Sequence, residues 1–150
     1  MYSYIKYSSE FLLHTSYSDP VLHHTYSGNS DTIKSCIFNP LKKQIITGSN
    51  DGYILIFNLN PKTRPIKFKG HTKSINEVSI NPLGNLIASC SDDSTIRLWK
   101  NDKHGFSNIV KIHSAPIKTI DFFPTGKFIV FKFSSLVLFS SINNVNYNYN

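Results

Sequence analysis

The sequence predicts an all-β fold made of about three repeated units, each with about four antiparallel strands. One pattern of apolar and turn residues recurs every 42 positions, and short β-type runs alternate with turn residues. The segments also lack the 3.6-residue apolar period of a helix. Short strands at regular spacing, separated by turn signals, are typical of all-β repeat proteins.

The 42-residue period holds without gaps along most of the chain. The segment GHTKSINEVSINPLGNLIASCSDDSTIRLW (70–99) aligns with GNSDTIKSCIFNPLKKQIITGSNDGYILIF (28–57). HSAPIKTIDFFPTGKFIV (113–130) aligns with 71–88 at the same spacing. Chance does not readily give a period that is kept twice. We place the repeat region at 21–140, with units at about 28–69, 70–112 and 113–140.

The second unit carries the clearest strand pattern. Residues 75–80 alternate apolar and polar side chains, as a half-buried strand does. The sequence NPLGN after them predicts a turn, because Pro fixes φ and Gly permits a positive φ. Residues 86–91 and 95–99 form the next two predicted strands around an Asp-Asp-Ser turn, and the outermost strand is expected at 107–111.

The outer units follow the same plan less completely. The first has Asn50-Asp51-Gly52 as its tight turn, and an outer strand is expected before it at 21–26. The third loses the pattern after Val130, and deleting two residues aligns 134–139 with 94–99 as a degenerate third strand. Residues 1–20 are expected to be a poorly structured extension. The Asn/Tyr-rich residues 141–150 are expected to be a disordered tail.

These motifs resemble the WD-repeat family of β-propellers. The resemblance is carried by Gly70-His71, the NPLG turn, LIASCSDD and TIRLW. In that family about 40 to 45 residues make one four-stranded blade. The resemblance therefore implies three blades, whereas closed propellers have about four to eight. The ring is expected to be incomplete. We expect a truncated gene product, and the alternative is that another chain completes the ring.

The resemblance also implies a buried hydrogen-bond network of histidine, serine or threonine, aspartate and tryptophan within one blade. In this chemistry an aspartate accepts from imidazole, imidazole accepts from a hydroxyl, and the hydroxyl oxygen accepts the indole N–H. The matching residues of the second unit are His71, Ser89, Asp93 and Trp99. The partial equivalents in the other units are Asn29, Thr47, Asp51, Phe57 and His113.

A hydrolase triad is the competing interpretation, since it uses the same serine, histidine and aspartate types. Ser89 is predicted in the middle of a strand, whereas a hydrolase serine occupies a sharp strand-to-helix turn. The repeat accounts for all three residues without catalysis. The sequence also shows no phosphate-binding loop and no metal-ligand spacing, so we expect a non-enzymatic protein with no cofactor and no metal site.

The chain has a formal net charge of +7, and its cations are concentrated in one segment. No acidic residue lies between Gly52 and Asn76. A basic surface attracts acidic partners, either an acidic protein segment or a nucleic-acid backbone. The segment lacks the aromatic pattern of an RNA-binding module, so nucleic acid is the less expected partner. A solvated lysine-rich face is the first interpretation of this charge, and a contact surface is the alternative. The candidate contact residues are Lys62, Arg64, Lys67, Lys69 and Lys73.

The N-terminal sequence does not resemble a secretion signal, and no apolar run is long enough for a membrane helix. We expect an intracellular protein. Cys36 and Cys90 match no metal spacing and are expected to be reduced, buried thiols.

The joints between repeats resemble those of the centriolar WD-repeat proteins called the proteome-of-centrioles family. They are DPVLHHTYSG (19–28), NPKTRPIKFKGH (60–71) and FSNIVKIHSAPIKTIDF (106–122). This resemblance implies a scaffold in centriole or basal-body assembly and stability, located in the cytoplasm and cytoskeleton. Its partners would be centriolar or microtubule-associated proteins, with no membrane involved. The alternative is a generic adaptor in RNA processing, transcription or ubiquitin ligation. Asn29 and Phe57 depart from the family pattern.

Overall fold

The computed structural model describes residues 24–39, 41–60, 62–105, 107–111 and 114–142. Within these ranges no helix is present, so none is available to cross a membrane. The strands are β1 (Ile33–Asn39), β2 (Gln44–Ser49), β3 (Tyr53–Asn58), β4 (Ile66–Lys69), β5 (Ile75–Ile80), β6 (Leu86–Ser91), β7 (Thr95–Lys100), β8 (Ser107–Lys111), β9 (Ile117–Phe122), β10 (Phe128–Phe133) and β11 (Leu136–Ser141).

The strands form three antiparallel sheets, which we call blades 1, 2 and 3. Blade 1 has the order β1-β2-β3-β4, blade 2 has β5-β6-β7-β8, and blade 3 has β9-β10-β11 among the described residues. The all-β fold of repeated antiparallel blades is therefore confirmed. Each blade follows the chain in sequence order, because short turns connect only neighbouring antiparallel strands.

The second turn of every blade contains a residue with a positive φ, and two residue types occupy this place. Gly52, Ser94 and Ser134 stand at this place with φ of 79°, 67° and 49°. Glycine adopts the left-handed region without steric cost, whereas serine is strained there. The turn aspartates support the geometry: Asp51 accepts from the Tyr53 N–H and Asp93 from the Thr95 N–H.

The register of β11 differs from the sequence alignment. Phe139 pairs with Val130 as Leu98 pairs with Ala88, so Phe139 corresponds to Leu98 and not to Trp99. The prediction was wrong by one residue, because the turn between β10 and β11 has two residues where blade 2 has three. Side chains alternate between the two faces along a strand. The shift therefore places Phe139 on the face opposite to the one that an alignment with Trp99 predicts.

Several predicted features fall outside the described residues. They include the extension at 1–20, residues 143–150 of the predicted tail, and His113. Ser141 belongs to β11, and Ile142 donates its N–H to the Lys127 carbonyl at 3.0 Å. The outer strand expected at 21–26 is not seen in its described part, since residues 24–26 form no strand.

The blades pack face to face, and we call the face toward the preceding blade the leading face and the other the trailing face. The trailing face of blade 1 (Ile46, Ile54, Ile56) packs against the leading face of blade 2 (Ile75, Val78, Ile87, Trp99). The trailing face of blade 2 (Ala88, Cys90, Ile96, Leu98) packs against the leading face of blade 3 (Ile117, Ile120, Ile129, Phe131).

The two cysteines lie in different environments. Cys90 is fully buried between blades 2 and 3, and burial raises the pKa of its thiol to about 12. Cys36 is exposed, so the expectation of two buried thiols was wrong for this residue. It lies on β1, on the leading face of blade 1, against which no other described blade packs.

Candidate functional site

The four predicted side chains of blade 2 meet in one chain of hydrogen bonds. His71 precedes β5, Ser89 lies in β6, Asp93 lies in the turn after it, and Trp99 lies in β7. The Nδ1 atom of His71 is 2.8 Å from Asp93 Oδ2, and its Nε2 atom is 2.7 Å from Ser89 Oγ. Trp99 Nε1 donates to Ser89 Oγ at 2.8 Å. We call these four residues the blade-2 network.

The partners fix the proton positions in the network. Trp99 Nε1 can only donate, so Ser89 Oγ accepts from it and directs its own O–H toward His71 Nε2. The Nδ1–H of His71 is then free to donate to the Asp93 carboxylate. Every nitrogen and hydroxyl of the network thus has a partner, which is the condition for a buried polar network to stabilise a fold.

Asp93 receives more hydrogen bonds than the sequence interpretation assigned to it. The Thr72 N–H donates to it at 3.0 Å, and the Thr95 hydroxyl donates at 2.6 Å. Burial alone would raise the pKa of Asp93, but the hydrogen bonds from Thr95, Thr72 and His71 outweigh it and lower the pKa to about 2. The carboxylate is therefore ionised. The threonines beside His71 and Asp93 are the only sequence signal for these contacts.

His71 is held in its neutral form. Its side chain is inaccessible to solvent, and this burial lowers its pKa although the hydrogen bond and charge of Asp93 oppose the shift. A neutral imidazole is the form that can accept the Ser89 proton at Nε2. The electrostatics and the proton arrangement therefore agree.

Gly70 precedes His71 because the neighbouring side chains leave no room for a Cβ atom. A Cβ at this position would lie 2.7 Å from an Arg97 guanidinium nitrogen and 2.8 Å from the Trp99 ring. Trp99 also stacks on Phe68 of β4, with ring centroids 5.6 Å apart. The network tryptophan is thus packed between the outer strand of blade 1 and the entry to blade 2.

The equivalent positions of blade 1 do not form the same network. Thr47 Oγ1 contacts Asn29 Oδ1 at 3.2 Å, and the buried Nδ2 of Asn29 has no partner among the described residues. Asp51 instead accepts the Ser30 hydroxyl at 2.6 Å. Phe57 offers no donor and packs on Tyr26 with ring centroids 5.6 Å apart. Among the described residues, only blade 2 has the four-residue chain.

The position of Ser89 does not suit a catalytic nucleophile. The residue is 0% exposed, and its hydroxyl oxygen is already in contact with both His71 and Trp99. A hydrolytic serine must reach a substrate carbonyl. The geometry of these residues is that of a structural element. The described ranges also contain no group of three or more His, Cys, Asp or Glu side chains arranged for a metal ion.

The predicted basic residues lie on β4 and in the segments directly before and after it. All five are exposed, and none takes part in the ion pairs found between described residues. Lys67 and Lys69 project from β4, with Lys67 Nζ 3.5 Å from the centre of the Tyr53 ring. We call this surface the basic strip; it consists of Lys62, Arg64, Lys67, Lys69 and Lys73.

An open groove of about 340 Å³ adjoins one end of the basic strip. Lys62 and Arg64 line it together with Tyr26 and Phe57. The groove therefore offers cationic donors next to the half-buried ring of Tyr26, whereas Phe57 is only 5% exposed. This combination suits a peptide segment that carries both carboxylates and an apolar side chain.

Comparison with known proteins identifies relatives for the first two repeats. The family described as WD40 (WD domain, G-beta repeat) matches residues 20–58 and 62–100. Nuclear distribution protein nudF 2 of Aspergillus clavatus is 32% identical over 102 residues, which are 64% of this chain and 23% of the relative.

Two further relatives match shorter parts of the chain. Pre-mRNA-processing factor 19 of Bos taurus is 28% identical over 87 residues, which are 58% of this chain and 17% of the relative. WD repeat-containing protein 26 homolog of Drosophila melanogaster is 37% identical over 76 residues, which are 50% of this chain and 12% of the relative. The chain thus spans less than a quarter of the length of each relative.

Proposed function

Because the chain belongs to the WD domain, G-beta repeat family, we propose that it acts as a non-enzymatic scaffold that binds other proteins through its basic strip. The observation that carries the choice of surface is the row of five exposed cations, none of them in an ion pair between described residues. Complementary charge speeds association and selects partners at such surfaces.

The partner favoured by this surface is an acidic protein segment rather than a nucleic acid. Proteins that bind single-stranded nucleic acid stack bases on accessible aromatic rings. The aromatic ring of β3 beside the strip, Tyr53, lies under the Lys67 ammonium, and Phe68 of β4 is buried. The rings that line the groove beside Lys62 and Arg64 agree with this preference, because Phe57 is only 5% exposed and the half-buried Tyr26 packs on it.

Charge reversal on the strip tests the proposal. A variant with Lys62→Glu, Arg64→Glu, Lys67→Glu and Lys69→Glu should lose binding of a synthetic Glu-rich peptide that contains one Phe. A variant with Lys34→Glu, Lys43→Glu, Lys103→Glu and Lys127→Glu, all exposed and outside the strip, is the matched control with the same change in net charge. Equal peptide binding by the two variants would contradict the proposal that the basic strip is the binding surface.

A salt titration separates the two partner classes. Binding of a single-stranded DNA oligonucleotide through many phosphates should weaken steeply with salt, with a slope of log K against log salt concentration of about −0.7 per phosphate contacted. We expect weak binding of this probe compared with the peptide. Tighter binding of the oligonucleotide at physiological salt would favour the nucleic-acid alternative.

The site of action that we propose is the centriole or basal body, with centriolar or microtubule-associated partners. The support is the resemblance of the three joints between repeats, at 19–28, 60–71 and 106–122, to those of the centriolar WD-repeat proteins. A tagged protein should concentrate at centrioles. An even distribution through the cytosol would contradict this location.

The alternative is an adaptor in another assembly. The relatives named for nuclear distribution and pre-mRNA processing support this alternative. Affinity purification followed by mass spectrometry distinguishes the two, because centriolar proteins or the components of a different complex would dominate the recovered partners.

A further inference from the structure

Two blade faces have no neighbouring blade among the described residues. The leading face of blade 1 exposes apolar residues of β1, with Ile33 46% and Phe38 52% exposed. The trailing face of blade 3 exposes Val137 at 67% and Phe139 at 62%, and Phe139 stacks on Phe128 with ring centroids 4.8 Å apart. In blade 2 the corresponding faces are both buried against other blades.

The internal interfaces show what such faces bind. The side chains of blade 3 that correspond in register to Ala88 and Leu98 of blade 2 are Val130 and Phe139. Ala88 and Leu98 bury themselves against the leading face of blade 3. The exposed trailing face thus keeps the apolar character of a face that takes a blade. Lys132, at the position of Cys90, is the polar exception, and its exposed side chain can lay its methylenes along the face.

A specific hydrogen bond recurs in both internal interfaces. The Val78 N–H of blade 2 donates to Ser35 Oγ of blade 1 at 3.2 Å. The Ile120 N–H of blade 3 donates to Glu77 Oε2 of blade 2 at 2.7 Å. Donors and acceptors are each separated by one repeat of 42 residues. Blade 2 therefore provides a backbone donor to the preceding blade and a side-chain acceptor to the following one.

The two open faces carry the remaining halves of this repeated contact. Thr119 of blade 3 is the repeat equivalent of Glu77 and Ser35, and its exposed hydroxyl is an acceptor. Cys36 of blade 1 is the equivalent of Val78 and Ile120, and it is exposed as well. Because the chain holds both halves at opposite ends, a second copy supplies the missing half to each face.

We infer that the open faces join two copies of this chain head to tail, with blade 3 of each copy packed on blade 1 of the other. Two copies of three blades make six, which lies within the roughly four to eight blades of closed propellers. Blade 1 of each copy meets blade 3 of the other, so the proposed pair has two-fold symmetry and is closed, with no free face left to extend a filament. The inference does not depend on which partner the basic strip binds.

A site-directed disulfide tests the register of the contact. In the internal interfaces the acceptor side chain lies 3.2 Å or 2.7 Å from the backbone nitrogen of its paired residue, so Thr119→Cys should bring a thiol within reach of the Cys36 thiol of the other copy. Mild oxidation with diamide should convert most of this variant into a species with the mass of two chains on a non-reducing gel. Thr119→Cys combined with Cys36→Ser, and Ser140→Cys with Cys36 retained, should both give far less of that species.

Sedimentation equilibrium of the unmodified chain tests the association itself. The wild type should sediment with the mass of two chains, and Phe139→Lys should shift it to one chain at the same concentration. Leu83→Lys is the matched control, because Leu83 is 71% exposed in a turn outside both faces. A monomeric wild type, a dimeric Phe139→Lys variant, or equal cross-linking of all three cysteine variants would each overturn the inference.

Discussion

The indole nitrogen of Trp99 lies 2.8 Å from the hydroxyl oxygen of Ser89, and both residues are almost completely buried. This contact joins β7 to β6 and is the last link of the blade-2 network, which runs from Asp93 through His71 and Ser89 to Trp99. A buried donor that loses its acceptor, or an acceptor that loses its donor, bears the full cost of desolvation. The stability of blade 2 therefore depends on both partners.

Trp99→Phe should lower the free energy of unfolding by about 1 to 3 kcal/mol, because Phe offers no donor to Ser89. The measurement is urea-induced unfolding followed by circular dichroism. An unchanged transition midpoint would contradict a stabilising role of the network. Blade 1 already carries Phe57 at this position, where the ring packs on Tyr26.

A double-mutant cycle separates the hydrogen bond from the loss of ring volume. Ser89→Ala and Trp99→Phe together should cost less than the sum of the single changes, since the contact they share can be lost only once. Phe68→Leu is a suitable control for packing, because Phe68 stacks on Trp99 but makes no hydrogen bond with it. Additive costs for Ser89 and Trp99 would argue that the ring acts by packing alone.

The sequence could predict the fold because each blade repeats the same alternation and turn chemistry. It could also nominate the four network residues, since all of them lie within one repeat at the positions that the family resemblance implies. It missed the contact between Glu77 and the Ile120 N–H. That contact crosses between blades and uses a backbone donor, and its acceptor is Ser, Glu or Thr in different repeats.

The network should make stability depend on pH through His71. Burial lowers the pKa of this side chain below the 6.5 of the unfolded chain, so the unfolded state binds a proton more readily. The stabilising contribution is complete above about pH 6.5 and is lost as the pH falls through the folded-state pKa. We expect the urea concentration at the unfolding midpoint to decrease as the pH is lowered from 7.5 to 5.

His71→Gln isolates this titration from those of the other histidines. The difference in midpoint between the wild type and this variant should shrink as the pH falls from 7.5 to 5. A second loss is expected at lower pH, because the pKa of Asp93 is about 2 when folded against 3.8 when unfolded. Parallel pH profiles for the two proteins would show that His71 does not titrate in this range.

Gly48→Ala should destabilise the contact between blades 1 and 2. A Cβ at this position would lie 2.7 Å from Ile75 Cγ2 and 2.9 Å from Val78 Cγ1. Overpacking of this kind costs about 1 to 3 kcal/mol. At a strand position with free space the same change would stabilise the protein by roughly 0.5 to 1 kcal/mol. The sign of the change in stability therefore shows whether the two blades are in close contact at this position. The measurement is the urea midpoint, and a stabilised variant would show that the blades are not packed this closely.

The side chain of Glu77 should protect the backbone of the neighbouring blade. Its Oε2 atom accepts the Ile120 N–H at 2.7 Å, and Ile120 is almost fully buried between blades 2 and 3. Glu77→Ala removes the acceptor and leaves this N–H without its partner, whereas Glu77→Gln keeps an acceptor oxygen of similar reach.

Amide hydrogen exchange should therefore accelerate at Ile120 in the alanine variant by about tenfold, which corresponds to roughly 1.4 kcal/mol of local stability, and much less in the glutamine variant. Because exchange of the Trp99 backbone amide in β7 reports on blade 2 itself, it should change little in either variant. Equal acceleration at Ile120 in both variants would mean that the charge of Glu77, and not its acceptor oxygen, holds the blades together.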